Sequence, residues 1–170
     1  LNIISVDNLS KIYSKYNQRK LKKNKINNKK INVGNINNFK NLKFKADFII
    51  DCSAEPAVEA SRRNVSKVIE SNFLSTFNVL QKAKKDKSKV IFLSSSRVYP
   101  IKLSYNKFSN YLKTGKHKLY TENDSILGIK TIYGFTKLSS EELIKEYMYS
   151  YNIEYIINRC GLISGPRQFG

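Results

Sequence analysis

The chain has 170 residues, 41% of them apolar, and carries a formal net charge of +18. This length suits one globular domain with a sizeable core, and the composition excludes collagen-like, strongly disordered and disulfide-stapled chains. No apolar run reaches 18 residues, so neither a membrane-spanning helix nor a membrane partner is expected. The chain shows no signal-peptide pattern, and Cys52 and Cys160 lie far apart in apolar runs. These features predict a cytoplasmic protein whose reduced thiols fill small buried gaps.

The basic charge is concentrated between Lys11 and Lys45, a stretch with twelve Lys or Arg residues and no acid. Such a stretch can bind phosphates by counterion release, but it lacks the interleaved aromatic residues of a base-stacking surface. Lysines outnumber arginines 25 to 6, whereas arginine is the usual reader of bases. A solvated surface is therefore favoured over a nucleic-acid site, and a non-catalytic scaffold that binds RNA is kept as an alternative.

Apolar patterning predicts three elements in the first 45 residues and a buried strand directly after them. The strand near the amino terminus ends at an acid, Asp7. The fourth element is almost continuously apolar, as expected of a parallel strand that is covered on both faces. These elements are the strand Asn2–Val6, a short helix over Ser14–Asn24, a strand candidate at Ile31–Ile36 and the strand Ala46–Ser53.

The second half of the chain continues the alternation of strands and helices, broken by an irregular, polar and aromatic excursion at about 101–128. The predicted elements are a helix over Asn64–Lys85, a strand at Lys89–Ser94, a helix over Phe135–Tyr151 and a strand at Glu154–Asn158. Strand–helix alternation indicates an α/β fold with a parallel sheet. Ligands of such sheets bind at the carboxyl ends of the strands, where the chemically interesting residues of this chain fall.

The most specific chemical motif is Tyr133-Gly-Phe-Thr-Lys137 at the entrance of a helix. Residues four apart share a helix face, so the Lys137 ammonium is predicted to lower the pKa of the Tyr133 phenol. A phenolate can then remove a proton from a substrate hydroxyl while hydride leaves the same carbon. The strand before this helix ends in three serines, Ser94 to Ser96, whose hydroxyls can hold the substrate oxygen. No His/Cys cluster offers metal-binding geometry, so no metal is expected.

Six segments stand out along the chain: VDNLS, DFIIDCSAEPAV, SNFLSTFNVLQKAK, VIFLSSSRVYP, YGFTK and NRCGLISGPRQFG. They occur in the order seen in the extended short-chain dehydrogenase/reductase family, the NAD-dependent nucleotide-sugar epimerases and dehydratases. The chain resembles this family almost from end to end. The resemblance implies a Rossmann-like, doubly wound parallel sheet with strand order 3-2-1-4-5-6 and NAD as cofactor. It also implies a homodimer in the complete protein.

Carried over residue by residue, the resemblance implies where NAD would be bound. Asp7 would hold the adenosine ribose hydroxyls, and Asn35 stands where the family has an Asp near the adenine. Lys137 would bind the nicotinamide ribose, and Asn72 would support the backbone of the active site. The full set of cofactor-binding residues implied is Asp7, Asn8, Leu9, Asn35, Ile36, Cys52, Ser53, Ala54, Asn72, Ser94, Tyr133, Lys137 and Arg159.

The same resemblance makes Ser95, Tyr133 and Lys137 the catalytic residues. The substrate would be a nucleotide sugar, held by Glu55, Ser95, Ser96, Arg97 and Tyr133. Sugar 4,6-dehydratases place an Asp-Glu pair after the catalytic Ser or Thr, and this chain has Ser96-Arg97 there, which speaks against elimination. The similarity is greatest to the CDP-paratose/CDP-tyvelose 2-epimerase branch, which implies transient oxidation and hydride return. A 4-epimerase or a reductase remains an alternative.

The family's first strand, with its Gly-x-x-Gly-x-x-Gly turn, and its carboxyl-terminal sugar-binding region have no counterpart in this sequence. Residues 1–170 are therefore expected to form a partial NAD-binding domain. In the family's strand order the missing strand is the central one, which would leave the strands at Ile3–Val6 and Phe48–Cys52 without their shared partner. Since unpaired buried backbone groups cost about 1–3 kcal/mol each, we expect the isolated 170 residues to be marginally stable and inactive, with poor or no NAD binding.

Overall fold

The computed structural model describes residues 2–11, 14–40, 42–55, 63–161 and 163. Its strands form one parallel pair and one parallel three-stranded sheet, flanked by helices. This arrangement confirms the expected α/β, Rossmann-like fold class.

The parallel pair consists of β1 (Ile4–Asp7) and β2 (Asn27–Lys30), joined by helix α1 (Ser14–Lys23). The strand predicted at Ile31–Ile36 is wrong, because residues 31–35 form a turn that leads into the short helix α2 (Ile36–Phe39). The actual strand, Asn-Asn-Lys-Lys, has no apolar residue, and within the described part of the chain it pairs on one side only, with β1. Apolar patterning passed over it because a strand at the edge of a sheet can be polar throughout.

The three-stranded sheet consists of β3 (Phe48–Asp51), β4 (Lys89–Ser95) and β5 (Tyr155–Cys160), with β4 in the middle. All pairs are parallel, and the register sets Asp51 opposite Phe92 and Ser95 opposite Cys160. The carboxyl ends of the three strands therefore meet at one edge of the sheet, as the sequence predicted for the candidate site.

A long helical stretch and a second helix pack on one face of this sheet. The stretch contains α3 (Val65–Val68), a π-helical segment (Ile69–Leu74) and α4 (Ser75–Asp86), and the second helix is α6 (Ile132–Tyr151). Their buried side chains form the main core with the inward residues of β4, and burial of this apolar surface stabilises the fold. The buried members of this core are Leu80, Ala83, Val90, Phe92, Ile144, Tyr147 and Ile153.

The opposite face of the three-stranded sheet is open among the described residues. Phe48 and Ile50 of β3 are 63% and 62% exposed, and Ile156 of β5 is 57% exposed. The expectation that β3 is covered on both faces is therefore wrong for the described residues. Alternate residues of a strand point to opposite faces, so Ile49 enters the core while its two neighbours point outward.

The two sheets share a core, but in the part of the chain that the structure describes their strands do not pair with each other. Among the described residues β1 pairs only with β2 and β3 only with β4, so each keeps one unpaired edge. Val6 of β1 and Ile49 of β3 pack against one hydrophobic cluster around Phe39, Leu42 and Val79. This arrangement agrees with the expected strand order, in which β1 and β3 are not neighbours.

The excursion after β4 contains the helix α5 (Ile101–Thr114), so the expectation of irregular structure is wrong for these 14 residues. Pro100 precedes the helix, and Gly115 ends it with a φ of +66°, which glycine adopts without strain. Apolar side chains recur at helical spacing and point to solvent: Ile101, Tyr105, Phe108 and Leu112 are 51–69% exposed. The polar residues between these side chains made their helical spacing difficult to recognise in the sequence.

Helices of the described ranges are too short or too polar to cross a membrane.

Candidate active site

Helix α6 begins at Ile132, three residues before the predicted start, and this brings Tyr133 into its first turn. Thr131 is the N-cap, and its side-chain oxygen accepts a hydrogen bond from the backbone N–H of Gly134 over 3.0 Å. The hydroxyl of Ser95, the last residue of β4, lies near the phenol of Tyr133 and acts on its pKa as a hydrogen-bonding group. The structure thus brings together the two hydroxyls that the sequence assigned to catalysis.

The surroundings of Tyr133 set the acidity of its phenol. Burial is the largest influence and raises the pKa of Tyr133 above its usual value. The hydrogen bond from Ser95 and the positive charge of Arg97 lower this pKa, and Cys160 raises it slightly. The expectation that the Lys137 ammonium does the lowering is wrong in this structure, where Ser95 and Arg97 do so and burial outweighs them.

Lys137 is buried, with 2% of its surface exposed. Its Nζ donates hydrogen bonds to the backbone oxygen of Leu93 over 2.9 Å and to that of Ser53 over 3.4 Å. Burial lowers the pKa of the Lys137 ammonium, and the negative charge of Asp51 acts in the opposite direction. Lys137 therefore joins the carboxyl end of β4 to the loop after β3.

Asn72 lies in the π-helical segment and is completely buried. Its Oδ1 accepts from the backbone N–H of Glu55 over 2.7 Å, and its Nδ2 donates to the hydroxyl of Thr136 over 3.1 Å. Asn72 thus ties the loop after β3 to helix α6. A π-helical turn in an α-helix often marks a functional position, and this location is compatible with the supporting role implied for Asn72.

The loop after β3 brings four of the predicted residues to the carboxyl edge. Ser53 and Ala54 are half-buried, and the buried carboxylate of Glu55 pairs with Lys11 over 2.7 Å. Cys52 is exposed and Cys160 is half-buried, so the expectation that both thiols are buried fillers is wrong. Cys52 directly follows β3 and Cys160 is the last residue of β5, so both lie at the carboxyl edge of the sheet.

Most residues predicted to hold the adenosine lie at the carboxyl end of β1 and at the start of α2. The carboxylate of Asp7 accepts from the backbone N–H of Leu9 over 2.5 Å, and Asn8 makes a similar turn with the residue two positions on. The side chain of Asn35 caps α2, and Ile36 is 47% exposed. Each polar side chain here makes a local hydrogen bond that shapes its own loop.

Gly34, next to Asn35, is required by a close approach of two backbones. A Cβ atom built on Gly34 would lie 2.7 Å from the backbone oxygen of Glu70 in the π-helical segment. Only a residue without a side chain fits between this turn and the helix. The glycine thereby fixes the β2–α2 turn against the long helical stretch.

Ser96 and Arg97 begin a short 3₁₀ helix (Ser96–Val98) directly after β4. Ser96 is half-buried, Arg97 is exposed, and the backbone N–H of Arg97 donates to the hydroxyl of Ser95 over 3.2 Å. The Arg97 charge therefore lies near the Ser95–Tyr133 pair, where the sequence expected a substrate contact.

Sequence reasoning missed Glu141, to which two predicted cofactor residues are bonded. Its buried carboxylate accepts from the hydroxyl of Ser94 over 2.5 Å and from the guanidinium of Arg159 over 2.8–3.2 Å. Arg159 also reaches the hydroxyl of Tyr99 over 3.3 Å. The spacing of Tyr133, Lys137 and Glu141 was the available signal, because residues four apart share one helix face.

Within the described ranges, no group of three or more His, Cys, Asp or Glu side chains is placed to hold a metal ion.

Comparison with known proteins connects this geometry to a family. The model of the NAD dependent epimerase/dehydratase family matches residues 2–170. A dTDP-D-glucose 4,6-dehydratase of Dictyostelium discoideum is 30% identical over 128 residues, which cover 75% of this chain and 29% of that protein. The chain spans less than half the length of the curated relatives it matches.

Solved structures of nucleotide-sugar enzymes share the fold. UDP-glucose 4-epimerase of Thermotoga maritima matches with a TM-score of 0.77 and 22% identity, over 99% of this chain and 50% of that one. UDP-glucuronic acid 4-epimerase of Bacillus cereus, in complex with UDP-glucuronic acid and NAD, matches with a TM-score of 0.73 and 23% identity, over 93% and 48%. With its Ser95–Tyr133 pair at the carboxyl edge of a parallel sheet and a family match along its length, the chain belongs to the NAD dependent epimerase/dehydratase family.

Proposed function

We propose that this chain carries the catalytic part of an NAD-dependent epimerase of nucleotide sugars, which oxidises one sugar carbon transiently and returns the hydride to its other face. The observation that carries the proposal is the proximity of the Ser95 hydroxyl to the phenol of Tyr133, beside the buried Lys137. This arrangement sets two hydroxyls at one point of the site edge, where a substrate hydroxyl can meet both.

Tyr133 is the proposed acid/base. Its phenolate removes the proton of the substrate hydroxyl during oxidation, and the neutral phenol returns it during reduction. Because burial favours the neutral phenol, the return of the proton is the easier direction for these residues alone. Ser95 holds the substrate oxygen next to Tyr133, and the charge of Arg97 favours the phenolate.

The residues present fit the two ends of NAD. Asp7 is an exposed acceptor at the end of β1, suited to ribose hydroxyls, and a carboxylate there repels the additional phosphate of NADP. Lys137 and the backbone of Ser53 meet near Tyr133, where the nicotinamide ribose would be held. When bound, the cofactor accepts and returns the hydride. The sequence has no Gly-x-x-Gly-x-x-Gly turn for the pyrophosphate, so these residues supply only part of the cofactor site.

Epimerisation is favoured over dehydration by the residues that follow Ser95. A 4,6-dehydratase needs a carboxylate pair to move protons during elimination, and Ser96 and Arg97 cannot do so. Within the epimerases, the resemblance of the SSSRVYP and NRCGLISGPRQFG segments supports a 2-epimerase. The solved structures that share the fold include two 4-epimerases of UDP-sugars, which makes 4-epimerisation the second candidate.

The proposal is tested with the full-length protein and a panel of CDP-, UDP- and dTDP-hexoses, with products followed by NMR. An epimerase gives an isomer of the starting sugar with no net change in NADH, and the position of the inverted carbon separates a 2-epimerase from a 4-epimerase. Net consumption of NADH would instead identify a reductase, and a 4-keto-6-deoxy product a dehydratase; either would contradict the proposal.

A pair of tyrosine variants on one helix tests the residue assignment. Tyr133→Phe should abolish turnover, because no group remains to move the proton, while the fold is retained. Tyr149→Phe is the matched control, since Tyr149 lies on the same helix and is 86% exposed. Turnover by Tyr133→Phe at the rate of the control would refute the role of Tyr133.

A further inference from the structure

Glu141 is a carboxylate with no exposed surface, and residues of two strands converge on it. From β4, the hydroxyl of Ser94 donates to its Oε1 over 2.5 Å. From β5, Arg159 donates through Nη2 over 2.8 Å and through Nε over 3.1 and 3.2 Å. Helix α6 and the middle and outer strands of the sheet are therefore joined at one side chain.

Electrostatics explains why Glu141 stays bound to its partners. A buried carboxylate is strongly unfavourable unless it is paired and hydrogen-bonded, so Glu141 is held to its partners. The forked guanidinium meets it with two nitrogens, which fixes direction as well as distance. Glu141 in turn raises the pKa of Arg159, so the guanidinium stays charged.

The junction lies beside the catalytic pair. Ser94 is adjacent to Ser95 on β4, and Glu141 is two helical turns beyond Tyr133 on the same face of α6. Arg159 precedes Cys160, which is set opposite Ser95 in the sheet. Each half of the catalytic pair is thus tied, through its own element, to the Glu141 carboxylate.

We propose that Glu141, held by Arg159, is a positioning residue that sets the separation of Ser95 and Tyr133 through its bond to Ser94. The inference rests on the proposed function, because it gives the Ser95–Tyr133 pair its chemical purpose. It assigns Ser94 and Arg159 to this positioning unit, whereas the sequence gave both a direct role in cofactor binding.

The positioning role of Glu141 can be separated from a direct effect of its charge on the Tyr133 phenol. The groups that act on the phenol of Tyr133 are Ser95 of β4, Arg97 of the 3₁₀ helix and Cys160 of β5; Glu141 is not one of them. Glu141 acts directly on Lys137, whose pKa its charge raises. The effect expected of a change at Glu141 on Tyr133 is therefore one that passes through the position of Ser95.

The test compares Glu141→Gln with Glu142→Gln in the full-length protein. Glu142 is the matched control, because it is the next residue of α6 and its pair with Lys145 is solvent-exposed. The protein carries tyrosine labelled with ¹³C at Cζ, and the Tyr133 signal is assigned by its loss in Tyr133→Phe. The signal is followed into the alkaline range over which circular dichroism shows that the fold is retained.

We expect Glu141→Gln to raise the pKa of Tyr133 by about half a unit, since the lowering hydrogen bond from Ser95 weakens. The rise should not exceed that of Ser95→Ala, which removes the bond completely. In turnover, kcat should fall about tenfold or more with little change in KM, because misplaced reacting groups slow chemistry more than binding. Glu142→Gln should change neither quantity.

Ser94→Ala keeps the proposal testable if Glu141→Gln does not fold. It removes the bond between β4 and Glu141 while the ion pair with Arg159 stays, and the same rise in the pKa of Tyr133 is expected. An unchanged Tyr133 pKa in a folded variant of either residue would overturn the proposal. Failure of the proposed function would give a different result from failure of the positioning role. Tyr133→Phe would then remain active, whatever the pKa measurements show.

Discussion

The backbone of Gly134 lies directly against the carbonyl group of Arg97. A Cβ atom built on Gly134 would overlap the Arg97 carbonyl oxygen and would lie 3.0 Å from its carbon. The first turn of α6 is therefore pressed onto the 3₁₀ helix that follows Ser95. This close approach, which only glycine permits, places Tyr133, the residue before Gly134, next to the segment that follows Ser95.

Gly134→Ala should push α6 away from the 3₁₀ helix. Because the obstacle is backbone and cannot rotate aside, we expect a loss of about 1–3 kcal/mol in the free energy of unfolding and a large fall in turnover. Gly161→Ala is the control, since a Cβ atom on Gly161 would meet nothing within 4 Å. Urea unfolding of both variants measures the difference, and equal midpoints would contradict the close approach.

Asn72→Ala should destabilise the junction between the loop after β3 and α6. The substitution leaves the backbone N–H of Glu55 without its acceptor in a buried position, which costs about 1–3 kcal/mol. The control is Asn106→Ala on the exposed side of α5, where we expect a change within about 0.5 kcal/mol. The urea midpoints report both changes in the free energy of unfolding. A loss for Asn72→Ala no larger than for the control would show that Asn72 does not stabilise this junction.

The elements that form the catalytic edge were predictable from sequence. Strand β4 and helix α6 have strong apolar patterns, and the predicted ends differ from the observed ones by one residue at Ser95 and three at Ile132. The prediction of α6 began too late because it followed the apolar residues from Phe135 onward, whereas the N-cap at Thr131 decides the start. The candidate residues Ser95 and Tyr133 could be singled out because they lie at the ends of a strand and a helix.

The parts that sequence reasoning missed depend on contacts between distant segments. The polar strand β2 becomes a strand only because β1 offers it a partner. Glu141 looks like an ordinary helix residue until Arg159 and Ser94 converge on it, and nothing in the local pattern shows that convergence. Burial of Tyr133 likewise depends on the whole fold, which is why the direction of its pKa shift could not be read from the spacing to Lys137.

Two groups lower the pKa of Tyr133, and their removal should raise it by different amounts. The hydrogen bond from Ser95 is the larger and the charge of Arg97 the smaller, so both Ser95→Ala and Arg97→Gln should raise the pKa of Tyr133, the former by more. The NMR signal of ¹³C-labelled tyrosine measures both shifts. Because the folded protein favours the neutral phenol, its stability should also fall as pH rises above the ordinary tyrosine pKa.

Salt distinguishes the two influences on Tyr133. Arg97 is exposed, so its effect on the Tyr133 pKa should shrink when ionic strength rises from about 0.1 M to 1 M, as the screening length falls from about 10 Å to about 3 Å. The effect of Ser95→Ala should persist, since a hydrogen bond in a half-buried site is little screened. Reversal of this pattern, with the Ser95 effect lost in salt, would contradict the arrangement described.

The N-cap of α6 gives the last prediction, because it holds the turn that carries Tyr133. Thr131→Ala removes the acceptor of the Gly134 N–H and should lower the free energy of unfolding by about 1 kcal/mol. Thr131→Ser keeps the capping oxygen and should retain most of that stability. If the cap also sets the direction of Tyr133, the proposed activity should fall in Thr131→Ala and return in Thr131→Ser. Equal unfolding midpoints for the Ala and Ser variants would show that the hydroxyl does not cap this helix.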